Sequence, residues 1–375
     1  MVIKLKIISI LICFSLFFSG KLISSEINKI NPEKTQDSTK QNNQKEKFEP
    51  GPFILEHIGD SHEWHIATIG KHHIKIPLLI IAYSKKQGKL LSFCTTKFEH
   101  GHSAYKGIKI ELEGKNKGKL VEVNEDGSID EKAPLPLDFS ITKDVLAIFI
   151  SITLILFIFI GIARMYKKRE GKAPKGLQSM LEILILFVRD DIAKPALGEH
   201  KYEKYIPYLL TVFFFIFFNN LIGLIPIFPG GANVTGNIAV TMVLAIFTFV
   251  ITTINANKGY WVHIINAPGV PWWLKFPLPL MPVVEIIGVF TKPFVLMVRL
   301  FANITAGHII ALGFFSLIFI FGNMNIYAGY GISILSIVFT IFMTFLEFLV
   351  AFIQAYVFTL LSALYFGMAT EKAHH

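Results

Sequence analysis

Cysteine and charge are both scarce in this chain of 375 residues. Its two cysteines are Cys13 and Cys94; removal of a leader would leave Cys94 alone, which excludes an intrachain disulfide and argues against cysteine chemistry. Charged residues make up 17% and hydrophobic residues 53% of the chain, and the mean hydropathy is +0.53, too apolar for an ordinary soluble domain. Apolar runs of about 18 residues or more are long enough to cross a hydrocarbon core as helix. An integral membrane protein is predicted.

The chain also lacks an internal repeat, which argues against the inverted-repeat plan of many secondary transporters. Its formal net charge is +9, but the positive residues are unevenly placed. Six of them directly follow the first long apolar run: Arg164, Lys167, Lys168, Arg169, Lys172 and Lys175. Such a cluster orients a helix with that end in the cytoplasm. A nucleic-acid-binding face is the alternative, but the preceding apolar run favours the membrane, and no nucleic-acid partner is predicted.

Residues 1–25 have the layout of a secretory signal peptide. Lys4 and Lys6 precede the apolar run Ile7–Phe18, and small residues follow it. A run of about 12 apolar residues is short for a membrane span. A retained first transmembrane helix is the alternative interpretation.

Residues 26–140 are predicted to form a periplasmic linker and a β-rich extension. The polar tract 26–47 has almost nothing to bury and is typical of a disordered linker. Short β-branched stretches at 76–83, 89–93 and 108–113 are separated by Gly, Lys and Asn, which indicates strands. Because the next span is predicted to run inward, we expect this extramembrane domain outside the inner membrane.

The extension holds seven of the twelve histidines of the chain: His57, His62, His65, His72, His73, His100 and His102. A metal site is conceivable, but no cysteine or acidic ligand completes a recognisable spacing. Structural histidines are the favoured interpretation, and we predict no metal or other cofactor.

Residues 141–375 are predicted to form the membrane domain. Five apolar segments are candidate spans: 145–162, 205–228, 238–254, 282–321 and 331–368. The last two, joined by a polar turn at Gly322–Tyr330, would be about 57 to 60 Å long as helices, so they must be tilted, kinked or partly interfacial. Leu177–Phe187 is shorter and has polar residues along one side, which favours a helix lying on the cytoplasmic interface. The C-terminus is expected in the cytoplasm.

The fold class predicted from these features is an all-α polytopic membrane protein with a small β-rich N-terminal extramembrane domain. It has about five transmembrane helices, an interfacial helix and a long tilted C-terminal helix hairpin.

Ionisable groups within spans are costly and usually mark ion pathways. The hairpin contains few of them: Glu285, Lys292, Arg299, His308 and Glu347, with Asn303 and Gln354 as polar neighbours. Arg299 lies deep in an apolar run, and a guanidinium remains charged in a protein. The alternative is a structural arginine paired with a carboxylate.

The hairpin predicts which of these groups face each other. If it folds near residue 327, positions whose numbers add up to about 655 lie opposite one another. His308 then faces Glu347, and Gln354 falls opposite position 301, beside Arg299. At about 100° per residue, His308 points away from Arg299, whereas Asn303 lies within about 40° of it.

The depths of the same groups differ. His308 lies about 13 Å from Arg299 toward the outside, and Glu285 lies about 21 Å toward the cytoplasm. A proton path is therefore available on each side of a central arginine, with no continuous path through it. An ion-driven rotary device needs such a separation.

Two segments resemble a known family. Residues 282–310, PVVEIIGVFTKPFVLMVRLFANITAGHII, are similar to the penultimate helix of ATP synthase a subunits, whose RLFxN core matches Arg299–Asn303. Residues 347–369, EFLVAFIQAYVFTLLSALYFGMA, resemble the last helix of that family. The resemblance covers about residues 140–370, and it leaves the extension unexplained.

The resemblance implies roles for individual residues. The rotor-facing arginine of the family matches Arg299, and its nearby glutamine matches Gln354. The channel asparagine matches Asn303, and the cytoplasmic-side glutamate matches Glu285.

The outer-channel pair of the family matches His308 and Glu347. Many bacterial members have the two residue types in the opposite order, whereas this chain has the order of the mitochondrial form. The pair itself is kept, so the assignment stands.

The resemblance also implies the function and the partners. A proton from outside would neutralise a carboxylate on a ring of c subunits and leave toward the cytoplasm after rotation. The chain would be a non-catalytic stator subunit of the F0 sector, in contact with the c ring, the b-subunit peripheral stalk, the remaining F1F0 subunits and lipids. This sequence leaves the coupling ion open between H⁺ and Na⁺, because the rotor site largely sets that choice.

Two other classes are the alternatives. A self-contained secondary transporter or channel would use the same buried charges to bind a substrate. An anchored structural protein would leave Arg299, His308 and Glu347 without a purpose. Because every plausible pathway residue lies beyond residue 280, we expect the extension to be dispensable for ion transfer.

Overall fold

The computed structural model describes most of the chain: residues 50–69, 72–101, 103–112, 114, 116–124, 126–168, 170–225, 228, 230–265 and 280–371. The predicted signal peptide and the polar tract 26–47 lie outside the described residues. The chain divides into two compact units. Of the described residues, 63–77 belong to one unit, and 50–62 together with all those from Leu78 onward belong to the other. The domain boundaries at residues 25 and 140 stay predictions.

The smaller unit is a β-hairpin. Its strands, β1 (Glu63–Ile69) and β2 (His72–Pro77), pair antiparallel, with a register shift between His65 and Ala67. Lys75 Nζ lies 2.7 Å from Glu63 Oε2 across the pair. Opposite charges on diagonally neighbouring strand positions stabilise such a ladder modestly.

The larger unit begins with a short helix and two small sheets. Their bounds are α1 Pro50–Ile58, β3 Leu79–Ser84, β4 Lys89–Cys94, β5 Ile108–Ile110, β6 Leu120–Glu122 and β7 Leu137–Asp138. Strand β3 lies between β4 and β7, and β5 pairs with β6, all antiparallel. Ile80, Phe98 and Ile108 form the fully buried centre. The predicted strand 76–83 is therefore wrong as one element, because a break after Pro77 divides it between β2 and β3.

The remaining elements are helical. Their bounds are α2 Lys143–Lys168, α3 Leu177–Phe187, α4 Lys194–Leu197, α5 Tyr202–Gly223, α6 Ile238–Ile254, α7 Lys258–Ile265, α8 Leu280–Met324 and α9 Ile326–Thr370. Among the described residues, α2, α5, α8 and α9 are long and apolar enough to cross a membrane, and α6 with α7, bent by 106°, would add a fifth span. The chain is a mostly helical, polytopic membrane protein.

A short helix follows α6. Lys258–Ile265 is helical, and Tyr260 packs edge-on against Trp261. Residues 266–279 lie outside the described part.

Helices α8 and α9 form the long C-terminal hairpin. Each has 45 residues, about 67 Å at roughly 1.5 Å per residue. The expected polar turn at Gly322–Tyr330 is wrong in length, because only Asn325 separates the helices. Asn325 Oδ1 accepts a hydrogen bond from Tyr327 N at 3.0 Å, which caps α9 and makes a longer loop unnecessary.

Contacts along the hairpin fix its register. Phe314 stacks on Phe339 with ring centroids 5.0 Å apart. Near the other end, Lys292 Nζ lies 5.9 Å from the centroid of the Tyr365 ring. At the turn, a Cβ atom on Gly329 would lie 2.8 Å from the Cα atom of Gly322. The residue numbers of each pair add up to between 651 and 657, close to the register expected from the sequence.

Helix α5 lies at the centre of the membrane core. Its residues Phe213 and Phe214 are buried, and Phe213 packs edge-on against Phe352 of α9. Tyr205 at the other end of α5 stacks on Phe366, with centroids 5.0 Å apart. These aromatic contacts hold α5 against the hairpin, because large rings bury much apolar area.

Helix α3 continues through a π-helical turn, Val188–Ala193, into α4. Val188 is fully buried in the core, whereas Asp190 is partly exposed and binds both Arg189 and Lys194 at 2.8 Å. The hydrogen bonds from Arg189 and Lys194 hold the pKa of the Asp190 carboxyl well below its ordinary value. One side of the segment is thus apolar and packed, and the other stays charged, as an interfacial helix requires.

The turn of the hairpin yields a test. We expect Gly329→Ala to lower the stability of the purified chain by about 1–3 kcal/mol, because the added methyl group overlaps backbone of α8. Gly331→Ala is the matched control, since a Cβ atom there meets nothing within 4 Å. Thermal unfolding in detergent measures both variants. Equal unfolding temperatures would show that the close helix approach is not limiting.

Candidate ion pathway

A short polar turn lies between α5 and α6 at the end of the bundle where α2 begins. We call residues 233–237 the polar turn and this end the extension end. Val234–Gly236 forms a 3₁₀ turn, and Asn233 Oδ1 accepts from Gly236 N at 3.1 Å. Asn237 Oδ1 accepts from Ala239 N at 3.0 Å and caps α6. Both asparagines thus fix the local backbone.

The polar turn is hydrogen-bonded to α5 and, through it, to α9. Thr235 Oγ1 donates to Asn220 Oδ1. Asn220 Nδ2 in turn donates to the backbone oxygen of Ala351 at 3.3 Å. Thr235 and Asn220 are both buried, so each satisfies a polar group that would otherwise be costly.

Two further hydrogen bonds join the polar turn to α8 and α2. Thr305 Oγ1 donates to Gly236 O at 3.3 Å. Asn237 Nδ2 donates to Asp144 Oδ2 at 2.8 Å. The polar turn therefore connects α2, α5, α8 and α9, directly or through Asn220.

The structure brings His308 and Glu347 together in the hairpin. Nδ1 of His308 lies 3.8 Å from Oε1 of Glu347, and their side chains are 21% and 13% exposed. This distance is within ion-pair range but too long for a hydrogen bond, and Glu347 Oε1 has no hydrogen-bond partner among the described residues. A Cβ atom on Gly307 would lie 3.0 Å from that same oxygen, so glycine leaves the space that the carboxylate fills.

The pair is continuous with the polar turn. Thr305 precedes His308 by three residues on α8, and Ala351 follows Glu347 by four on α9, so each lies on the same helix face as its neighbour. Gly223 of α5 adjoins His308, since a Cβ atom there would lie 4.0 Å from Nε2. Polar groups thus follow one another from the extension end to the His308–Glu347 pair.

Arg299 lies deeper in the bundle and is partly buried. Among the described residues no carboxylate lies within ion-pair distance of it, which counts against a structural ion pair. Its charge acts on the phenol of Tyr365 in α9. Gln354, predicted to lie beside it, is buried at the matching level of α9. Asn303, one turn from Arg299, is exposed.

Asn303 is one of many exposed side chains of the hairpin. Large apolar side chains elsewhere on its surface are 36–72% exposed: Phe290, Phe294 and Val298 on α8, and Phe345, Phe348 and Leu349 on α9. We call the exposed surface of the hairpin the open face. A polar asparagine within an exposed apolar helix surface is suited to a membrane partner with a polar site of its own.

A second set of polar groups lies at the opposite end. Glu285 is partly buried, and its charge acts on Tyr260 of α7. Tyr260 lines a small cavity together with Lys292 and Tyr365. Arg299 is thus followed, toward this end, by two phenols, one ammonium group and one carboxylate.

Comparison with known proteins decides the family. A family model described as ATP synthase A chain matches residues 145–367. The chain belongs to the ATP synthase A chain family. Proteins named ATP synthase subunit a are 45% identical over 244 residues in Chloroherpeton thalassium and 42% over 248 in Myxococcus xanthus. Each alignment covers 64% of this chain, and 69% and 76% of the relative.

The extension matches a different family model. Residues 53–139 match one described as a domain of unknown function. The two matched segments are adjacent, and residues 140–144 lie between them.

Sequence reasoning missed part of the polar set of this family member. Asp144, Thr235, Asn237 and Thr305 were not singled out. Asp144 stands one residue before the predicted start of the first span, where a carboxylate is usually solvated. Its burial, like the role of the polar turn, depends on the approach of segments far apart in the chain. A weak signal was available, since the loop before α6 is rich in Asn and Thr.

The polar turn yields a second test. We expect Asn220→Ala to lower stability by about 1 kcal/mol, because Thr235 and Ala351 each lose a buried partner. Asn219→Ala is the matched control: Asn219 is also buried, but its side chain donates within its own helix, to Phe215 O. Unfolding of both variants in detergent gives the comparison. An equal loss in the two would contradict a bridging role for Asn220.

Proposed function

We propose that this chain is the stator a subunit of the F0 sector of a bacterial ATP synthase. It conducts protons across the inner membrane and catalyses no covalent step. The observation that carries the proposal is Arg299, a permanent charge on a membrane hairpin without a described carboxylate partner. The names of the relatives, ATP synthase subunit a, support it independently.

The outer half-channel runs from the extension end to the His308–Glu347 pair. A histidine beside a carboxylate suits proton transfer, because imidazole exchanges protons near neutral pH. The two groups are close enough for their titrations to be coupled. A proton passes from this pair along the α8 face that carries Asn303 to a carboxylate of the rotor ring. Once neutral, that carboxylate is able to turn into lipid.

Arg299 releases the proton after rotation. When the rotor carboxylate returns to the arginine, the positive charge favours the ionised form and expels the proton. Gln354, buried at the same level of the hairpin, belongs to this central group. The fixed charge also prevents direct passage between the half-channels, because a proton approaching it is repelled.

The inner half-channel lies beyond Arg299. Tyr365 and Lys292 come first, and Tyr260 and Glu285 follow toward the other end. Glu285 accepts the released proton and passes it to the cytoplasm.

Partners and orientation follow from the same surfaces. The open face meets the c ring, because it combines exposed apolar side chains with Asn303 and reaches Arg299. The b-subunit stalk and the remaining F1F0 subunits complete the stator, and lipids cover the other apolar surfaces. The basic residues at the end of α2 set that end in the cytoplasm. The extension end is then periplasmic, and the C-terminus of the chain is cytoplasmic.

Arg299 provides the decisive test. We expect Arg299→Ala to abolish ATP-driven proton pumping and to open a passive leak, because the charge between the half-channels is lost. Arg299→Lys should rescue poorly, since an ammonium group is a compact point charge that loses its proton more readily when buried. Pumping is followed in inverted vesicles, with assembly of the complex checked separately. Arg189→Ala, at an exposed interfacial position, is the control, and parental pumping by Arg299→Ala would refute the proposal.

The His308–Glu347 pair provides a second test. Replacing either by Ala leaves its partner buried alone, so each single variant should slow pumping substantially. The exchange His308→Glu with Glu347→His keeps both groups and should retain more activity than either single variant. The same vesicle assay measures all three. An exchanged protein no faster than the single variants would contradict a paired relay.

A further inference from the structure

Two charged residues at the start of α2 are buried at the extension end. Lys143 is 7% and Asp144 is 2% exposed. A lysine and an aspartate at the first residues of a membrane helix ordinarily reach water. Their burial therefore requires another segment of the chain that covers both side chains.

The segment after α1 covers Lys143 and Asp144. Lys143 Nζ donates to the backbone oxygens of His57 at 3.3 Å and Gly59 at 2.9 Å. Asp60 Oδ1 accepts from the backbone nitrogen of Asp144 at 3.0 Å. We call residues 57–60 the clamp. It replaces the water that would otherwise solvate the ammonium group and the first turn of α2.

The carboxylate of Asp144 is only half satisfied. Oδ2 accepts from Asn237, whereas Oδ1 has no hydrogen-bond partner among the described residues. An ionised carboxylate with a buried, unpartnered oxygen is costly. A carboxyl group that exchanges a proton or binds a transient water at that oxygen removes this cost. The open oxygen leaves Asp144 free to take part in such an exchange.

Asp144 and the clamp lie close to the proposed relay. The charges of Lys143 and His57 both act on His308, and α1 packs against α8. Hydrogen bonds connect Asp144 to Asn237 and Gly236 to Thr305, which precedes His308 by one turn. The unpartnered oxygen thus stands at the outer end of the same polar set.

We propose that Asp144 passes protons between the outside and the His308–Glu347 pair, and that the clamp of the N-terminal extension closes the mouth of the half-channel around it. The inference rests on the proposed function. The step is a proton transfer alone: the carboxylate accepts a proton from water at the mouth and returns it to water or imidazole further in. The proposal also revises the expectation that the whole extension is dispensable for ion transfer, because residues 57–60 hold Lys143 and Asp144 in place.

The competing explanation is a purely structural anchor. In that case Asp144 would only bind Asn237 and fix the start of α2. Asp144→Asn separates the two roles: it keeps the shape and an oxygen for Asn237 but carries no exchangeable acid. Asp144→Glu restores the acid at the cost of one extra methylene group.

The experiment uses the complete complex in inverted vesicles, with ATP-driven pumping and, after removal of F1, passive proton conduction. We expect Asp144→Asn to slow both by about tenfold or more at parental assembly levels, because it removes the proton-transferring group. Asp144→Glu should be severalfold faster than Asp144→Asn. Asp126→Asn, at an exposed position of the extension, is the matched control and should behave as the parent does. If Asp144→Asn assembles poorly, Asp144→Ser replaces it in the same comparison.

The outcomes separate the two levels of the proposal. Parental rates in Asp144→Asn, or equal rates in the Asn and Glu variants, would overturn the role of Asp144 while the Arg299 and His308–Glu347 results stand. Parental pumping by Arg299→Ala, measured beside them, would overturn the proposed function itself. The clamp is tested by Asp60→Ala against Asp60→Asn. Only Asn keeps the acceptor for Asp144 N, so equal rates in those two variants would overturn the role of the clamp.

Discussion

A permanent positive charge inside a membrane hairpin constrains the rest of this structure. Arg299 does not release its proton, and no described carboxylate neutralises it. Such a charge is tolerable only where it meets water, a phenol or a partner's carboxylate. Tyr365 supplies one such neighbour, and the open face leaves access to a partner. The length of α8 and α9 separates this charge from the acidic groups on either side.

The two sides of Arg299 are built differently. On the extension side, side-chain hydrogen bonds between helices link Thr235, Asn220, Asn237 and Asp144 into a fixed polar set. Each bond satisfies a buried group, so the set defines the positions of four helices as well as a route. On the other side Tyr260, Lys292 and Tyr365 surround a cavity. A hydrogen-bonded set on one side and a cavity on the other are compatible with the proposed loading of protons on the first side and their release on the second.

Much of the hairpin could be predicted from the sequence, because its pairing depends on one turn and a regular helix. His308 opposite Glu347 followed from that geometry. The nearly loop-free turn could not be predicted in this way, because it depends on Asn325 capping α9 and on glycines that let the two helix backbones approach closely. Strands β6 and β7 were missed because strands of three and two residues carry little periodic signal. The seven-residue β1 was missed as well. The burial of Asp144 was missed because it arises from segments more than eighty residues apart.

The junction between the two family segments is where the extension contacts the first membrane helix. Residues 53–139 match one family model and 145–367 another, and Lys143 and Asp144 lie in between. A lysine at the start of a span has water as its usual acceptor; here backbone oxygens of His57 and Gly59 take that place. Removing water in this way strengthens every charge interaction nearby, including those that reach His308. In the proposed half-channel, a segment that shields the mouth therefore also sets the electrostatic environment of the His308–Glu347 pair, which a tethered but separate domain would not do.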